Sequence, residues 1–321
     1  MIYRQLAGTG YRVSAVAMGS ALFGATYGQD FCFGQLDIFA QAGGNLVDTA
    51  HVYNDWIPGE KARSEKVIGR WLKSRGMAGQ VVVMTKGAHP PLDRMEESRV
   101  RPGEIRRDLA QSRDNLGLEA IDLYLLHRDD PQVPVGEIVA WMDQLVREGL
   151  IRHWGVSNWT LERIQAAQGY AAAHGLAGIR MNQTMWSFAS IRKEGLEDQT
   201  LVPLDRAAYD YHCATGLNLT AFTSQAKGYF PRLAGGEALP QSVTQVYDTP
   251  INQRKMAFLV KTRAQTGLSI AALCLLFFQR QPFCAIPVVS YDTDQQLTQA
   301  LEAYGPQAQA RAEQVEFPLW F

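Results

Sequence analysis

The sequence predicts an α/β fold of the (β/α)8 TIM-barrel type, and three observations support this prediction. Eight short apolar or β-branched runs each precede a segment with helical spacing. The runs are almost continuously apolar, as expected of parallel strands covered on both faces. The connections are short, which suits repeated β/α units. The eight predicted strands are Val13–Met18, Asn45–Val47, Val81–Thr85, Ile121–Leu126, His153–Val156, Ile179–Asn182, Leu217–Phe222 and Cys284–Val289.

The start of the chain carries Gly8-Thr9-Gly10 before the first predicted strand, which predicts the turn of an N-terminal β-hairpin. A doubly wound sheet is the alternative fold, but no G-x-G-x-x-G motif follows the first strand. The 321 residues suffice for one barrel of ~250 residues with extra helices and loops on its C-terminal face. We therefore predict a single domain over residues 1–321.

Capping residues and apolar periodicity predict five of the helices. Proline is favoured in the first turn of a helix, glycine directly after the last turn, and threonine as an N-cap. Two further stretches, Asn54–Arg63 and Ser224–Thr249, are predicted to be long functional loops. The predicted helices are Pro102–Leu116, Val135–Val146, a helix from Thr160 to near His174, Asn252–Gln265 and Ser269–Arg280.

Composition argues against several classes of partner. The net charge is −1 and basic residues form no run, so neither a nucleic acid nor a membrane surface is expected as a partner. The four cysteines form no C-x-x-C pair and no zinc-ligand pattern, so no metal is expected. No signal peptide is recognisable, and the apolar run Ile270–Phe278 is shorter than the ~20 residues that cross a bilayer. We expect a soluble, cytoplasmic protein with a small-molecule substrate; the sequence carries no signal for an oligomeric state.

Hydrogen-bonding side chains follow five successive predicted strands, where the loops of a barrel form the active-site mouth. Taken singly, an Asp, Lys or His at such a position is usually a turn residue, solvated or structural. Five in succession favour a shared site. The residues are Asp48, Lys86, His127, Ser157 with Asn158, and Gln183.

Tyr53, five residues after Asp48, adds a proton donor to this group. A lysine directly after a buried strand would be costly without an anion, and Asp48 can supply one to Lys86. The pKa of a tyrosine is ~10, and a nearby ammonium lowers it. The residue types therefore predict a Tyr–Lys–Asp proton relay beside His127, which suits general acid catalysis.

These motifs give the chain a resemblance to the aldo-keto reductase superfamily, from about Tyr3 to Ala303. All of them occur in order and in register with the predicted barrel. The matching stretches are Gly43 to Tyr53 (GGNLVDTAHVY), Ser64 to Gly69 (SEKVIG), Thr85-Lys86, Ile121 to His127 (IDLYLLH), Gly155 to Asn158 (GVSN) and Ile286-Pro287.

The resemblance implies a role for each member of the catalytic group. Tyr53 would protonate the substrate oxygen as a hydride arrives from a nicotinamide cofactor. Lys86, paired with Asp48, would lower the pKa of Tyr53. His127 would donate to the carbonyl oxygen and orient it.

The resemblance also implies how the nicotinamide is held. Ser157, Asn158 and Gln183 would bind its carboxamide. Trp186 stands where we expect the aromatic residue that stacks on the ring, and an indole can do so with a large area. The alternative for Trp186 is a core residue at the barrel rim.

The phosphate end of the cofactor would lie on two turns, with Thr223, Gln225 and Lys227 on the first and Ser290 and Gln296 on the second. The family often places a cation on the second turn for the 2′-phosphate of NADP, but this chain has Asp292 and Asp294 there. A carboxylate suits the 2′-hydroxyl of NAD instead. We expect the chain to prefer NADP(H) narrowly to NAD(H) as its cofactor. Arg280, a more distant basic residue, is a candidate for the missing cation.

The substrate pocket is predicted from aromatic and charged residues near strand ends. Apolar walls would come from Phe23, Trp56 and Trp159. Arg128 and Asp129 would add polar specificity, which suits a hydroxylated or sugar-like carbonyl, unless the two form only a surface ion pair.

The predicted function is therefore NAD(P)H-dependent reduction of an aldehyde or ketone to an alcohol. Two other functions compete with it. A cofactor-binding regulatory subunit is possible because fold does not fix function. A metal-dependent hydrolase would need clustered ligands, and the six histidines include no H-x-H or H-x-x-x-H pair.

Overall fold

A closed barrel of eight parallel strands forms the centre of the computed structural model, which describes residues 1–313 and 315–318. Neighbouring barrel strands follow chain order, and the last strand closes on the first. The predicted (β/α)8 barrel with its N-terminal hairpin is thus confirmed. The strands are β1 (Tyr3–Gln5) and β2 (Arg12–Ser14) in the hairpin, then β3 (Ala17–Gly19), β4 (Leu46–Asp48), β5 (Val82–Gly87), β6 (Ile121–Leu126), β7 (Ile151–Ser157), β8 (Met181–Met185), β9 (Asn218–Phe222) and β10 (Ala285–Val289) in the barrel.

The helices surround the barrel, and the five that were predicted are present within a few residues of their expected bounds. The Thr160 hydroxyl caps its helix by accepting from the Arg163 amide, and Gly117 ends another in the left-handed conformation. The described α-helices are α1 (Gln29–Gln41), α2 (Arg63–Arg75), α3 (Pro102–Leu116), α4 (Val135–Arg147), α5 (Leu161–His174), α6 (Arg206–Thr215), α7 (Tyr229–Ala234), α8 (Gln241–Tyr247), α9 (Pro250–Thr266), α10 (Ile270–Gln279), α11 (Asp294–Glu302) and α12 (Pro306–Arg311).

The first predicted strand, Val13–Met18, is wrong as a single element. Its first part belongs to β2, which pairs antiparallel with β1, and its last part belongs to the barrel strand β3. The Ser14 amide donates to Asn45 Oδ1 (2.6 Å), and its hydroxyl donates to the Val16 carbonyl (2.7 Å). These bonds fix the chain where it leaves the hairpin, a change of direction that a continuous apolar run cannot reveal.

The hairpin closes the amino-terminal end of the barrel. Asn218, the first residue of β9, accepts from the Ala7 amide (2.9 Å) and donates to the Ala7 carbonyl (3.1 Å). Leu6 and Val13 of the hairpin pack with the apolar side chains inside the barrel. The amino-terminal end is therefore plugged, so a site inside the barrel opens at the carboxyl-terminal end.

The connections on the carboxyl-terminal side differ in part from expectation. The segment after β4 is a series of turns up to α2, as predicted for Asn54–Arg63. The stretch Ser224–Thr249 was predicted to be a loop but contains α7 and α8. Residues 186–205 form a long connection between β8 and α6 that the sequence prediction did not single out. No described helix is both long and apolar enough to span a membrane.

Candidate active site

Lys86 lies at the centre of a buried hydrogen-bonded group at the mouth of the barrel. Its Nζ is 2.8 Å from Asp48 Oδ1 and donates to the Thr49 carbonyl (2.7 Å) and to the Tyr53 hydroxyl (3.0 Å). Lys86 is fully buried and Asp48 is 2% exposed. A buried ammonium is tolerated here because all three contacts accept hydrogen bonds and one carries a negative charge.

Strand alternation explains why these side chains meet. In β5, Val82 and Met84 face the apolar barrel interior, so Lys86 occupies the next inward position. Asp48 ends the adjacent strand β4. The chain then turns back through Asn54, whose φ is 73° and whose side chain donates to the Phe23 carbonyl (2.7 Å). Asparagine tolerates this left-handed conformation, and the turn brings Tyr53 to Lys86.

The electrostatics of Tyr53 differ from the prediction in their net direction. Burial raises the pKa of Tyr53, Lys86 lowers it, and Asp48 raises it again, so that the net pKa lies above 10. For Lys86, burial lowers the pKa, but Asp48 and Tyr53 outweigh burial and raise it overall. At neutral pH the phenol therefore keeps its proton beside a charged ammonium. This is the protonation state that a general acid requires.

His127 completes the predicted catalytic group, and the structure adds a second histidine that sequence reasoning missed. The His127 ring lies edge-on to the Tyr53 ring, with 5.9 Å between centroids, and 4.7 Å from the ring of His89. Burial, His89, Lys86 and Arg128 all lower the pKa of His127. Its Nδ1 atom is buried without a hydrogen-bond partner among the described residues. A neutral imidazole in this place can donate to a substrate oxygen.

His89 is expected to make the fold sensitive to mild acid. Burial, with a further contribution from Arg128, lowers the pKa of His89 to about 4 from an ordinary value of 6.5. The unfolded chain then binds more protons than the folded chain below pH 6.5, so stability falls as pH falls. Between pH 7 and pH 5 the loss should be about 2 kcal/mol.

Urea unfolding of the wild type and of His89→Gln at both pH values measures this contribution. The wild type should lose about 2 kcal/mol more than the variant between the two pH values. Burial, the largest cause of the lowered pKa of His127, is the same in both proteins, so the contribution of His127 should largely cancel in the difference. Equal losses would show that His89 is not a buried neutral imidazole.

Gln183, Ser157 and Asn158 lie beside the catalytic group on adjacent strands. Gln183 Nε2 donates to Asp48 Oδ1 (2.9 Å) and to Thr220 Oγ1 (3.2 Å) inside the barrel. Asn158 has a φ of 59°. Its backbone N–H donates to the Gln183 carbonyl (3.1 Å), and its side-chain Nδ2 donates to Ser157 Oγ (3.0 Å). The three residues predicted to hold the carboxamide are thus neighbours at one rim.

Trp186 does not lie where the stacking prediction requires. Its ring packs against Phe277 and Phe278 of α10, with 5.1 Å between centroids in each case, and it is stacked on Phe283 at 6.1 Å. It therefore faces the helix layer, and the core alternative is the better description. The strand β8 extends to Met185, beyond the predicted end at Asn182, and alternation turns Trp186 outward.

Phe222 is an aromatic residue at the mouth that sequence reasoning missed. It ends β9 two residues after Thr220, which contacts Gln183 inside the barrel. By alternation, Phe222 faces the same side, and it is only half-buried. The sequence could have indicated this position, because every second residue of β9 faces the barrel interior.

The two turns predicted to bind phosphates are joined to each other. Gln225 Nε2 donates to the Tyr291 hydroxyl (2.7 Å), and Ser224 Oγ donates to the Val288 carbonyl (2.7 Å). In the first turn, Thr223, Ala226, Lys227 and Gly228 all have positive φ, and Lys227 is exposed. Turns of this kind direct backbone N–H groups at an anion.

The second turn is built around Asp292 and Asp294. Tyr27 donates to Asp292, and Gln35 Nε2 donates to Asp294 Oδ1 (2.5 Å). Gln296 accepts from the Asp292 amide (3.1 Å), and Ser290 is exposed directly after β10. The exposed Lys227 of the first turn suits the negative charge of a pyrophosphate, whereas two carboxylates border the second turn.

Arg280 is wrong as a candidate for the missing cation. It follows α10 at the amino-terminal side of β10, and its guanidinium donates to the Ala312 carbonyl (2.7 Å). Because the cofactor turns follow the carboxyl ends of β9 and β10, Arg280 lies at the opposite end of the barrel. This position could not be read from the sequence, in which only nine residues lie between Arg280 and Ser290.

The predicted substrate residues are divided between two places. Trp56 is 49% exposed and borders a groove of about 590 Å³ that His89 and Leu92 also line. Phe23 is 2% exposed and belongs to the core, so it is wrong as an open pocket wall. Trp159 lines a different cavity, together with Trp186, beside the helix layer.

Arg128 and Asp129 do not pair with each other. Arg128 donates to Asp198 Oδ2 (3.0 Å), to Thr200 Oγ1 (3.0 Å) and to the His127 carbonyl (2.9 Å). Asp129 instead accepts from Arg163 of α5 (2.7 Å). Arg128 therefore connects residues 186–205 to His127, which makes that connection part of the candidate site.

The arrangement can donate a proton from Tyr53 to an oxygen that gains negative charge. Lys86 stabilises the phenolate that results, and neutral His127 can position the oxygen. In the part of the chain that the structure describes, no three His, Cys, Asp or Glu side chains are placed to hold a metal ion.

Comparison with known proteins agrees with the resemblance noted in the sequence. The model of the Aldo/keto reductase family matches residues 15–316. Norsolorinic acid reductase B of Dothistroma septosporum is 30% identical over 203 residues, which are 59% of this chain and 50% of the relative. The chain thus spans half the length of that relative.

Two other relatives align over most of the chain. Norsolorinic acid reductase stcV of Emericella nidulans is 25% identical over 315 residues, 92% of this chain and 75% of the relative. A putative voltage-gated potassium channel subunit beta of Schizosaccharomyces pombe is 25% identical over 322 residues, 94% of this chain and 87% of the relative. Similar chains are therefore named both as reductases and as a channel subunit.

Proposed function

The chain belongs to the aldo/keto reductase family, and on that premise we propose that it uses NAD(P)H to reduce an aldehyde or ketone to an alcohol. One observation carries the proposal. Lys86 Nζ contacts both Asp48 Oδ1 (2.8 Å) and the Tyr53 hydroxyl (3.0 Å), so a protonated phenol and a compensated ammonium stand together at the mouth.

When bound, the nicotinamide supplies a hydride to the carbonyl carbon. Tyr53 donates its proton to the carbonyl oxygen as negative charge develops there. Lys86 stabilises the resulting phenolate, and Asp48 keeps Lys86 charged. His127 donates to the same oxygen and orients it. Ser157, Asn158 and Gln183 hold the carboxamide, and Phe222, rather than Trp186, offers an aromatic face at the mouth.

We expect the chain to prefer NADP(H) to NAD(H), with Lys227 near the phosphates and the carboxylates of the second turn reducing the preference. Replacing Asp292 by Ser removes one negative charge beside the proposed 2′-phosphate position. NADPH should then bind about threefold more tightly, the size expected of one exposed charge, while NADH affinity should not improve.

Fluorescence titration of both cofactors measures these affinities. The matched control is Asp114→Ser, which removes the same charge from α3 near the amino-terminal end of the barrel. It should change neither the NADPH affinity nor the NADH affinity. Tighter binding of NADH than NADPH to the wild type would reverse the proposed preference. An unchanged NADPH affinity in Asp292→Ser would place the 2′-phosphate elsewhere.

The groove beside Trp56 is the proposed substrate site. His89 connects it to the catalytic group, because the His89 ring lines the groove and contacts His127. Trp56 and Leu92 give it apolar surface, whereas His51 and Asp93 give it hydrogen-bonding groups. This lining suits a hydroxylated carbonyl compound.

Glyceraldehyde should therefore have a higher kcat/KM than propanal, which has the same chain length but lacks the hydroxyl groups. A difference of about tenfold corresponds to one net hydrogen bond of ~1.4 kcal/mol. Steady-state kinetics with both aldehydes measures it. Equal values would remove the support for a hydroxylated substrate.

The second candidate function is a cofactor-binding regulatory subunit, favoured by the relative named as a channel subunit beta. A steady-state assay with NADPH or NADH and 4-nitrobenzaldehyde separates the two. Turnover with either cofactor supports the reductase. Tight cofactor binding without turnover of any aldehyde in a panel would support the regulatory subunit.

A further inference from the structure

The proposed substrate groove is lined by two histidine side chains, His51 and His89. Both adjoin the catalytic group. The backbone N–H of His51 donates to the Lys86 carbonyl (2.9 Å), and the centroid of the His89 ring is 4.7 Å from that of the His127 ring. A substrate that places its carbonyl at Tyr53 and extends into the groove would therefore meet both imidazoles.

Gln111 of α3 fixes the tautomer of His51. Its Oε1 atom lies 2.8 Å from His51 Nε2. An amide oxygen can only accept a hydrogen bond, so Nε2 carries the proton and Nδ1 of the neutral ring keeps a lone pair. Nδ1 has no partner within residues 1–313 and 315–318. His51 therefore offers a hydrogen-bond acceptor to the groove.

A backbone carbonyl fixes the tautomer of His89 in the same way. His89 Nδ1 lies 2.7 Å from the Pro90 carbonyl oxygen, so Nδ1 donates and Nε2 is the acceptor. Nε2 has no partner in the part of the chain that the structure describes. Burial lowers the pKa of His89 to about 4. At neutral pH the ring is therefore uncharged, and the groove has a second acceptor.

The charged side chains of the groove balance one another. Arg99 contacts Asp108 Oδ1 (2.5 Å) and Glu104 Oε2 (2.6 Å), and Arg107 contacts the same Glu104 oxygen (2.8 Å). With as many carboxylates as cations in its lining, the groove offers no net positive charge to an anionic substrate. The cations are Lys61, Arg99 and Arg107, and the carboxylates are Asp55, Asp93 and Asp108.

We propose that the groove selects uncharged polyhydroxylated aldehydes, whose hydroxyl groups donate hydrogen bonds to His51 Nδ1 and His89 Nε2. This inference rests on the proposed reductase function and adds the class of substrate to it. A phosphate ester of the same aldehyde is disfavoured, because its charge would lose water without gaining a net opposite charge. An aldehyde without hydroxyl groups leaves both acceptors unpaired.

Steady-state kinetics with NADPH and three related aldehydes tests the substrate class. We expect kcat/KM for glyceraldehyde to exceed that for propanal by about tenfold, as hydrogen bonding of the hydroxyl groups requires. It should exceed that for glyceraldehyde 3-phosphate by about tenfold as well, the cost of placing the phosphate in a groove without net positive charge. An equal or higher kcat/KM for the phosphate ester would overturn the selection of uncharged substrates.

Substitution of each histidine tests its role as an acceptor. In His51→Phe, and separately in His89→Leu, the ratio of kcat/KM for glyceraldehyde to that for propanal should fall about threefold, since one of two acceptors is lost. The ratio compares two substrates of one variant, so a general loss of activity does not change it. The matched control, His174→Phe at an exposed position of α5, should keep the wild-type ratio. An unchanged ratio in either variant would exclude that histidine as an acceptor.

Substitution of the exposed Gln111 tests the tautomer of His51 and leaves the imidazole in place. Gln111→Glu keeps an acceptor for His51 Nε2 and should keep the ratio. Gln111→Lys supplies a donor instead, so the ring proton moves to Nδ1 and the ratio should fall by about threefold. Equal ratios in the two variants would contradict the assigned tautomer.

Turnover of propanal by the wild type distinguishes failure of this inference from failure of the proposed function. If propanal and glyceraldehyde are reduced equally well, the reductase function stands and the selection of hydroxylated substrates is wrong. If the wild type reduces neither aldehyde, the proposed function fails and the inference fails with it.

Discussion

Tyr53→Phe is expected to lower kcat for carbonyl reduction by about 10²–10⁴-fold, the usual contribution of a positioned general acid. Phenylalanine keeps the ring but removes the hydroxyl that contacts Lys86 Nζ at 3.0 Å. Lys86 retains Asp48 and the Thr49 carbonyl, so the fold should survive. The measurement is steady-state oxidation of NADPH with 4-nitrobenzaldehyde.

Cofactor affinity separates a chemical role of Tyr53 from a structural one. The dissociation constant of NADPH in Tyr53→Phe should stay within about twofold of the wild type, since the proposed proton transfer contributes nothing to cofactor binding. Tyr3→Phe, in the hairpin at the closed end of the barrel, is the control for loss of a tyrosine hydroxyl. A kcat for Tyr53→Phe within tenfold of the wild type would exclude Tyr53 as the acid.

Lys86→Met is expected to lower both activity and stability. The substitution leaves Asp48, 2% exposed, without its ammonium partner, although Gln183 still donates to it. Removal of one partner from a buried ion pair costs about 3–5 kcal/mol. The free energy of unfolding, measured in urea, should fall by that amount, and kcat should fall by at least 10²-fold because Lys86 no longer stabilises the phenolate.

A second substitution distinguishes the two effects of Lys86. In the double variant Lys86→Met with Asp48→Leu, the unpaired charge is gone and most of the lost stability should return. Activity should not return, because the ammonium is still missing. Recovery of both stability and activity would mean that Lys86 serves only to hold the fold. If neither recovered, lost packing rather than the unpaired charge would explain the lower stability.

Features with a local physical cause were predictable from the sequence. Pro102 and Gly117 bound α3 because proline suits a first turn and glycine suits the left-handed residue after the last turn. The strands carry their own apolar signal, and Asp48 and Lys86 stand at their carboxyl ends. Local signals were therefore enough to predict the barrel and to bring the residues of the proposed catalytic group to its mouth.

Features that depend on distant contacts were not predictable. His89 belongs to the candidate site because the end of β6 brings the centroid of the His127 ring within 4.7 Å of the centroid of the His89 ring. No spacing in the sequence shows this contact. The raised pKa of Tyr53 results from burial, which outweighs the nearby charge of Lys86. Trp186 was misplaced because β8 extends three residues beyond its predicted end, and a single position decides which face a side chain occupies.

Transfer of deuterium tests most directly whether the buried Tyr53–Lys86–Asp48 group serves carbonyl reduction. The protein is incubated with 4-nitrobenzaldehyde and with NADPH that carries deuterium at the transferred position of C4. The expected product is 4-nitrobenzyl alcohol with one deuterium on the carbinol carbon, formed by the wild type and formed at least 10²-fold more slowly by Tyr53→Phe. A wild-type protein that binds the cofactor but forms no deuterated alcohol from any aldehyde would contradict the proposed reductase function.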